Sequence, residues 1–147
     1  MSYADLPPNW PTRPVSDPSV FTPLVDLIVS ETSRDEGVIY VWLCGPTDRL
    51  MQPCAVTDVS ALTPTERCAT IDPFARALAE QVPDGSVVLV VARPGIPATT
   101  DEDQLWHEAA VAVCRSRGIR LAGVAVATRE AVWQLPHRGD VPRTRPA

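Results

Sequence analysis

The side chains equipped for chemistry are few, and most stand in one stretch. Arg93 follows the apolar run 87–91 and precedes Pro94-Gly95, and a loop over 96–100 then leads to Asp101, Glu102, Asp103 and His107. Asp103 and His107 are four apart, which on a helix puts both on one face, where they could serve as two metal ligands or form an ordinary helix-surface pair. Arg93 could hold an anion or pair internally with Asp101 or Asp103. The internal pair is the expectation, because acids that open a helix lie close by in sequence. Hydrolysis by a serine or cysteine needs a neighbouring base, and the two histidines, His107 and His137, offer little, the second lying in a tail. Cys44, Cys54, Cys68 and Cys114 show no C-x-x-C spacing, so neither a zinc knuckle nor a thioredoxin-type motif is present. They read as small buried hydrophobes. No Gly-rich phosphate loop accompanies Pro94-Gly95.

The elements that must position these residues follow from period and punctuation. Residues 87–91 are five consecutive aliphatics, four of them valine, a pattern for a central strand buried on both faces. Thr100 is placed to cap a helix over Asp101–Arg117, with acids in its first turn and Gly118 as a left-handed C-cap. Leu105, Ala109, Ala112 and Val113 are expected on its inner side. Upstream, Asp17-Pro18 starts an amphipathic helix carrying Phe21, Leu24, Val25 and Ile28. Residues 33–37 read as a turn. Val38–Cys44 is too apolar to have a wet face and pairs through Gly45-Pro46-Thr47-Asp48 with a strand at 49–57. Residues 58–70 read as irregular, with one turn near Pro64. A helix runs from Asp72-Pro73 through Val82, with Phe74, Ala77 and Leu78 inward. Strands at 119–127 and 131–135 complete one mixed sheet flanked by helices, an α/β (α+β) fold.

The length of 147 residues fits one domain. Residues 1–16, with four prolines, read as a flexible arm that Tyr3 and Trp10 could let dock on a partner or on its own domain; 17–136 form the domain; 137–147 read as a flexible tail. A net charge of −5 argues against general nucleic-acid binding. No run approaches the roughly 20 apolar residues of a membrane span, and the N-terminus has no signal-peptide pattern. A cytoplasmic, soluble protein is expected. All 13 basic residues are arginine, which reads as coding bias rather than chemistry.

The order of pieces from Val38 to Pro136 resembles the JAB/MPN domain in its RadC-type form. The matching pieces are Asp48-Arg49-Leu50 in the hairpin, Ala77-Leu78 in a helix, the 87–91 strand with Ala92-Arg93-Pro94-Gly95, then 97–103, Gly118-Ile119-Arg120-Leu121 and Ala131-Val132-Trp133. The resemblance implies cytidine-deaminase-like layering. It also implies a site in which two histidines and an aspartate hold zinc while a glutamate moves the proton. Here the two histidine positions are Val91 and Arg93, the serine before the glycine is missing, Asp103 matches the third ligand and Glu36 lies near the glutamate. Valine cannot ligate a metal, and a guanidinium repels one. The resemblance therefore implies a vestigial site (Glu36, Val91, Arg93, Asp103) with no catalytic residue, metal or cofactor, in a module that holds a protein partner; a homodimer is one form. The alternatives are a hydrolase with an altered metal site recruiting His107 beside Glu36 and Asp103, and a small-molecule-binding α/β domain using Arg93.

Overall fold

The computed structural model describes residues 2–59 and 63–136. Five strands, β1 (Val38–Cys44), β2 (Leu50–Val56), β3 (Ser86–Ala92), β4 (Arg120–Ala127) and β5 (Val132–Gln134), form one mixed sheet in the order β2-β1-β3-β4-β5. β1 runs antiparallel to β2 and β3, β3 and β4 are parallel, and β5 returns antiparallel on β4. The fold class expected from the sequence is the one observed.

All seven residues of β3 are buried, and their alternation divides the interior. Val87, Leu89 and Val91 face a core shared with helices α3 (Pro64–Gln81) and α4 (Asp101–Arg117). Val88, Val90 and Ala92 face a second core with helix α1 (Phe21–Ile28), Trp42 and Val15. A strand covered on both sides has no use for polar side chains, which is why this one reads as a continuous apolar run.

Several elements differ from the sequence reading. The 33–37 segment is not a turn: helix α2 (Glu31–Glu36) precedes β1, capped by Ser30 Oγ, which accepts from the Ser33 amide at 3.1 Å. Helix α3 starts at Pro64, eight residues before the expected Asp72-Pro73, because Thr63 and Glu66 form a reciprocal capping box at 3.1 and 2.9 Å. Pro73 sits inside this helix. It removes the bond to the Ala69 carbonyl, but both residues are exposed, so water can satisfy that carbonyl. On α4 the buried side carries Asp103, Trp106, His107, Ala109, Ala110, Val113 and Cys114. Leu105 is half-buried and Ala112 exposed, so the inner face is rotated from the expected one. Gly118 takes the predicted left-handed cap, φ +68°.

The segment before α1 rests on the domain through a few of its residues. Two 3-10 turns, Tyr3–Asp5 and Trp10–Thr12, fold it over the second core, against which Leu6 and Trp10 pack. The Tyr3 amide donates to Asp26 Oδ2 at 2.9 Å, and buried Val15 donates its amide to the Asp48 carbonyl at 2.7 Å. The proline-fixed φ angle suits such tight turns, and Pro11 stands inside the second of them. The tail, 137–147 with His137, lies outside the described residues. No described helix is long and apolar enough to cross a membrane.

Candidate functional site

Loops that leave the carboxyl ends of parallel strands are where open α/β sheets build sites. In this molecule that end gathers the segment after β3, the turn after β4, and the α2–β1 junction. The Arg93 amide prolongs the sheet by donating to the Ala127 carbonyl at 3.0 Å, and the chain then departs into the 94–100 loop.

The Arg93 side chain organises that loop. Nε donates to Asp103 Oδ1 and Nη2 to Oδ2, both at 2.8 Å, a bidentate pair of the kind that fixes both distance and orientation. Nη1 donates to the carbonyls of Pro94 and Ile96 at 3.1 Å each, and Nη2 to that of Ala98 at 2.8 Å. A guanidinium has five N–H groups, and all five are satisfied. Asp103, completely buried, is also the inward half of the α4 capping box: its Oδ2 accepts from the Thr100 amide at 2.9 Å, while Thr100 Oγ1 accepts from the Asp103 amide at 3.2 Å. Trp133 of β5 closes the cluster, its Nε1 donating to Thr99 Oγ1 at 2.8 Å and its ring centroid lying 5.9 Å from the guanidinium carbon. The loop turns at Gly95, where φ is +104° and an added Cβ would stand 3.3 Å from Arg93 Nη1; both facts favour glycine.

Beside this cluster opens a cavity of about 260 Å³. Ile39, Val59, Val91 and Trp106 supply apolar surface, while the Glu36 and Glu102 carboxyls and the Arg93 side chain supply charge. Glu36, the last residue of α2, is exposed; Glu102 is about half exposed and approaches buried Arg67, Oε2 to Nε at 3.5 Å, without a directed hydrogen bond.

The residues singled out in the sequence are thus only partly brought together. Glu36, Val91 and Arg93 line one cavity. Asp103 is buried under Arg93 and does not line it, and buried His107 stands one turn further along α4, also outside the lining. Among the described residues, no three His, Cys, Asp or Glu side chains are grouped to hold a metal ion. The expected Arg93–Asp103 pair is present. Glu102, Trp106, Thr99 and Trp133 were not anticipated. The i,i+4 spacing of Glu102 and Trp106 on a capped helix was the available signal for the first two; nothing local announces the contact between Thr99 and Trp133.

The opposite end of β3 is tied by an anion. Asp48, in the β1–β2 turn at φ +60°, accepts from Ser86 Oγ at 2.7 Å and Arg120 Nη1 on Oδ1, and from Ser16 Oγ at 3.1 Å on Oδ2. Burial pushes its carboxyl upward, but the hydrogen bonds from Ser86 and Arg120 outweigh that and hold it below the ordinary aspartate range. Burial, helped by the Asp48 charge, pushes the Cys44 thiol up to about 12, and burial alone does the same for Cys114. Neither is a ready nucleophile at neutral pH.

No protein-family model matches the chain, and neither a curated protein nor a solved structure matches it.

Proposed function

We propose that the chain is a non-catalytic interaction module of JAB/MPN-like layout, whose carboxyl-end cluster is a structural remnant rather than a reaction centre. One observation carries this reading. The carboxylate at the family's third ligand position, Asp103, is fully buried and accepts two bonds from Arg93 and one from a backbone amide. A carboxylate so buried, with three of its roughly four acceptor directions taken, lacks the access that a catalytic metal ligand with an open neighbouring position needs. The saturation of Arg93 argues in the same direction against an anion-binding domain, since no N–H remains to offer a phosphate or carboxylate. A hydrolase that relies on Glu36, Asp103 and His107 would have to break the Arg93 pair first.

What such a module offers a partner is a firmly held surface. The 94–100 loop is held by three carbonyl contacts and displays Ile96, 61% exposed, at its tip. Preorganised loops lose little entropy on binding. The test is capture of complexes from native lysate with the full chain, combined with elemental analysis of the purified protein. A protein partner retained in stoichiometric amount, with no stoichiometric zinc, is the expected result. One zinc per chain, lost on His107→Ala, would replace this reading by the altered metal site.

A further inference from the structure

We propose that the cavity beside Arg93 receives the basic side chain, lysine or arginine, of a protein partner. This rests on the interaction-module reading and names what the module grips.

Size is the first argument. At about 260 Å³ the cavity falls below the roughly 300–1,000 Å³ of pockets that enclose drug-sized ligands. It suits one side chain rather than a nucleotide or a cofactor.

The sign of the charge is the second. Arg93 is the one cation among the lining residues, and its five N–H groups are all directed to Asp103 and the loop carbonyls. Its charge is matched by that of Asp103. Two carboxylates remain: Glu102 approaches Arg67 at 3.5 Å, and Glu36 has no ion-pair partner among the described residues. No described residue donates a hydrogen bond to either carboxylate, and an ionised carboxylate only accepts. Both are exposed to water, and a ligand that displaces that water from them has to bring donors and positive charge in its place.

The third argument is the apolar lining. Ile39, Val91 and Trp106 give methylene groups an apolar surface beside the charged side chains. Lysine and arginine have that construction: an aliphatic stem that buries and a charged head that stays near polar groups. The chain's net charge of −5 adds attraction at long range for a basic partner.

The experiment is an amide NMR titration of the full chain with n-butylammonium and n-propylguanidinium, the two side-chain analogues, and with n-butanol and butyrate as the neutral and anionic counterparts. Saturable shifts at Gly37, Ala92, Glu102 and Trp106 are expected with the two cations at about millimolar concentration, and the tighter of them identifies the side chain. The Glu36→Gln/Glu102→Gln variant should bind at least about tenfold more weakly, with the rest of its spectrum unchanged. The inference is overturned if n-butanol binds as tightly as n-butylammonium, if butyrate is preferred, if no cation gives saturable shifts, or if the variant binds as well as the wild type. Capture from lysate separates the two levels. A partner retained equally by wild type and variant removes this inference and leaves the interaction module standing, whereas capture of nothing by the wild type removes both.

Discussion

The two ends of β3 are secured by opposite charges, and the difference bears on what each end can do. At the amino end Asp48 collects hydroxyls from Ser16 and Ser86 and the Arg120 guanidinium. Arg120 in turn donates to the carbonyls of Pro46 and Asp84 at 2.9 and 2.8 Å, so the turns close on one another. At the carboxyl end Arg93 collects carbonyls from its own loop and the carboxylate that opens α4, and a cavity remains beside it. An anion that gathers side chains from several elements makes a closed seam. A cation that gathers the backbone of one loop stiffens that loop and leaves the adjoining space open. The first arrangement is a fastening, and the second is a frame around a recess.

Removing the frame should have the largest effect. Arg93→Met leaves Asp103 buried without its cation, and breaking a buried pair by deleting one partner costs about 3–5 kcal/mol. Urea unfolding should show that loss, and Arg93→Met/Asp103→Leu should recover much of it, because the orphaned charge is then gone. Failure of the double variant to recover would mean that the carbonyl contacts, not the ion pair, dominate.

Asp48→Asn tests the fastening with a residue that tolerates the same positive φ. It should cost about 1–3 kcal/mol at neutral pH. Because the folded carboxyl titrates below its ordinary value of 3.8, its stabilisation is complete above that value and is lost as pH falls through the lower, folded one. Asp17, Asp35 and Asp72 are lowered as well, by Ser19, Arg129 and Arg117 respectively, so acid destabilises the wild type through several groups. The Asp48 share is the difference between the wild-type and Asp48→Asn profiles; parallel profiles would show that the seam does not depend on its charge.

The smallest effect is expected at the rim of the frame. Trp133→Phe removes the indole bond to Thr99 and should cost about 0.5–1.5 kcal/mol. Hydrogen exchange should quicken over 94–100 and remain unchanged around Asp48. Equal quickening at both ends would mean that the two ends are not independently secured.

How far each region was legible in the sequence follows from how its information is spread. β1 and α4 were delimited correctly because an unbroken apolar run and a capped helix with a glycine stop are local signals. α2 escaped because ETSRDE contains no apolar residue; its inward position is held by Arg34, which donates to the carbonyls of Asp26, Val29 and Thr128. The first half of α3 escaped because its buried positions are Arg67, Ile71 and Ala75, too weak an apolar stripe to reveal a period, and because Asp72-Pro73 imitates a helix start. The Arg93–Asp103 pair was legible since only a loop separates its members. Glu36 and Glu102 line one cavity because Val38 pairs with Ala92 across β1 and β3, a register that no local pattern announces.

That same register has a kinetic consequence. β1 and β2 are joined by a short turn, and β3, α4, β4 and β5 follow one another along the chain, so the strand pairings within each group span shorter separations than the ladder between the groups. The ladder from Val38↔Ala92 to Cys44↔Ser86 is the one strand pairing that joins them in the described sheet. Contacts between distant segments carry a larger loop-closure cost and tend to form late. Truncations along the ladder, such as Val41→Ala or Leu89→Ala, should therefore speed unfolding far more than they slow refolding, a division that stopped-flow measurements across a denaturant series would reveal.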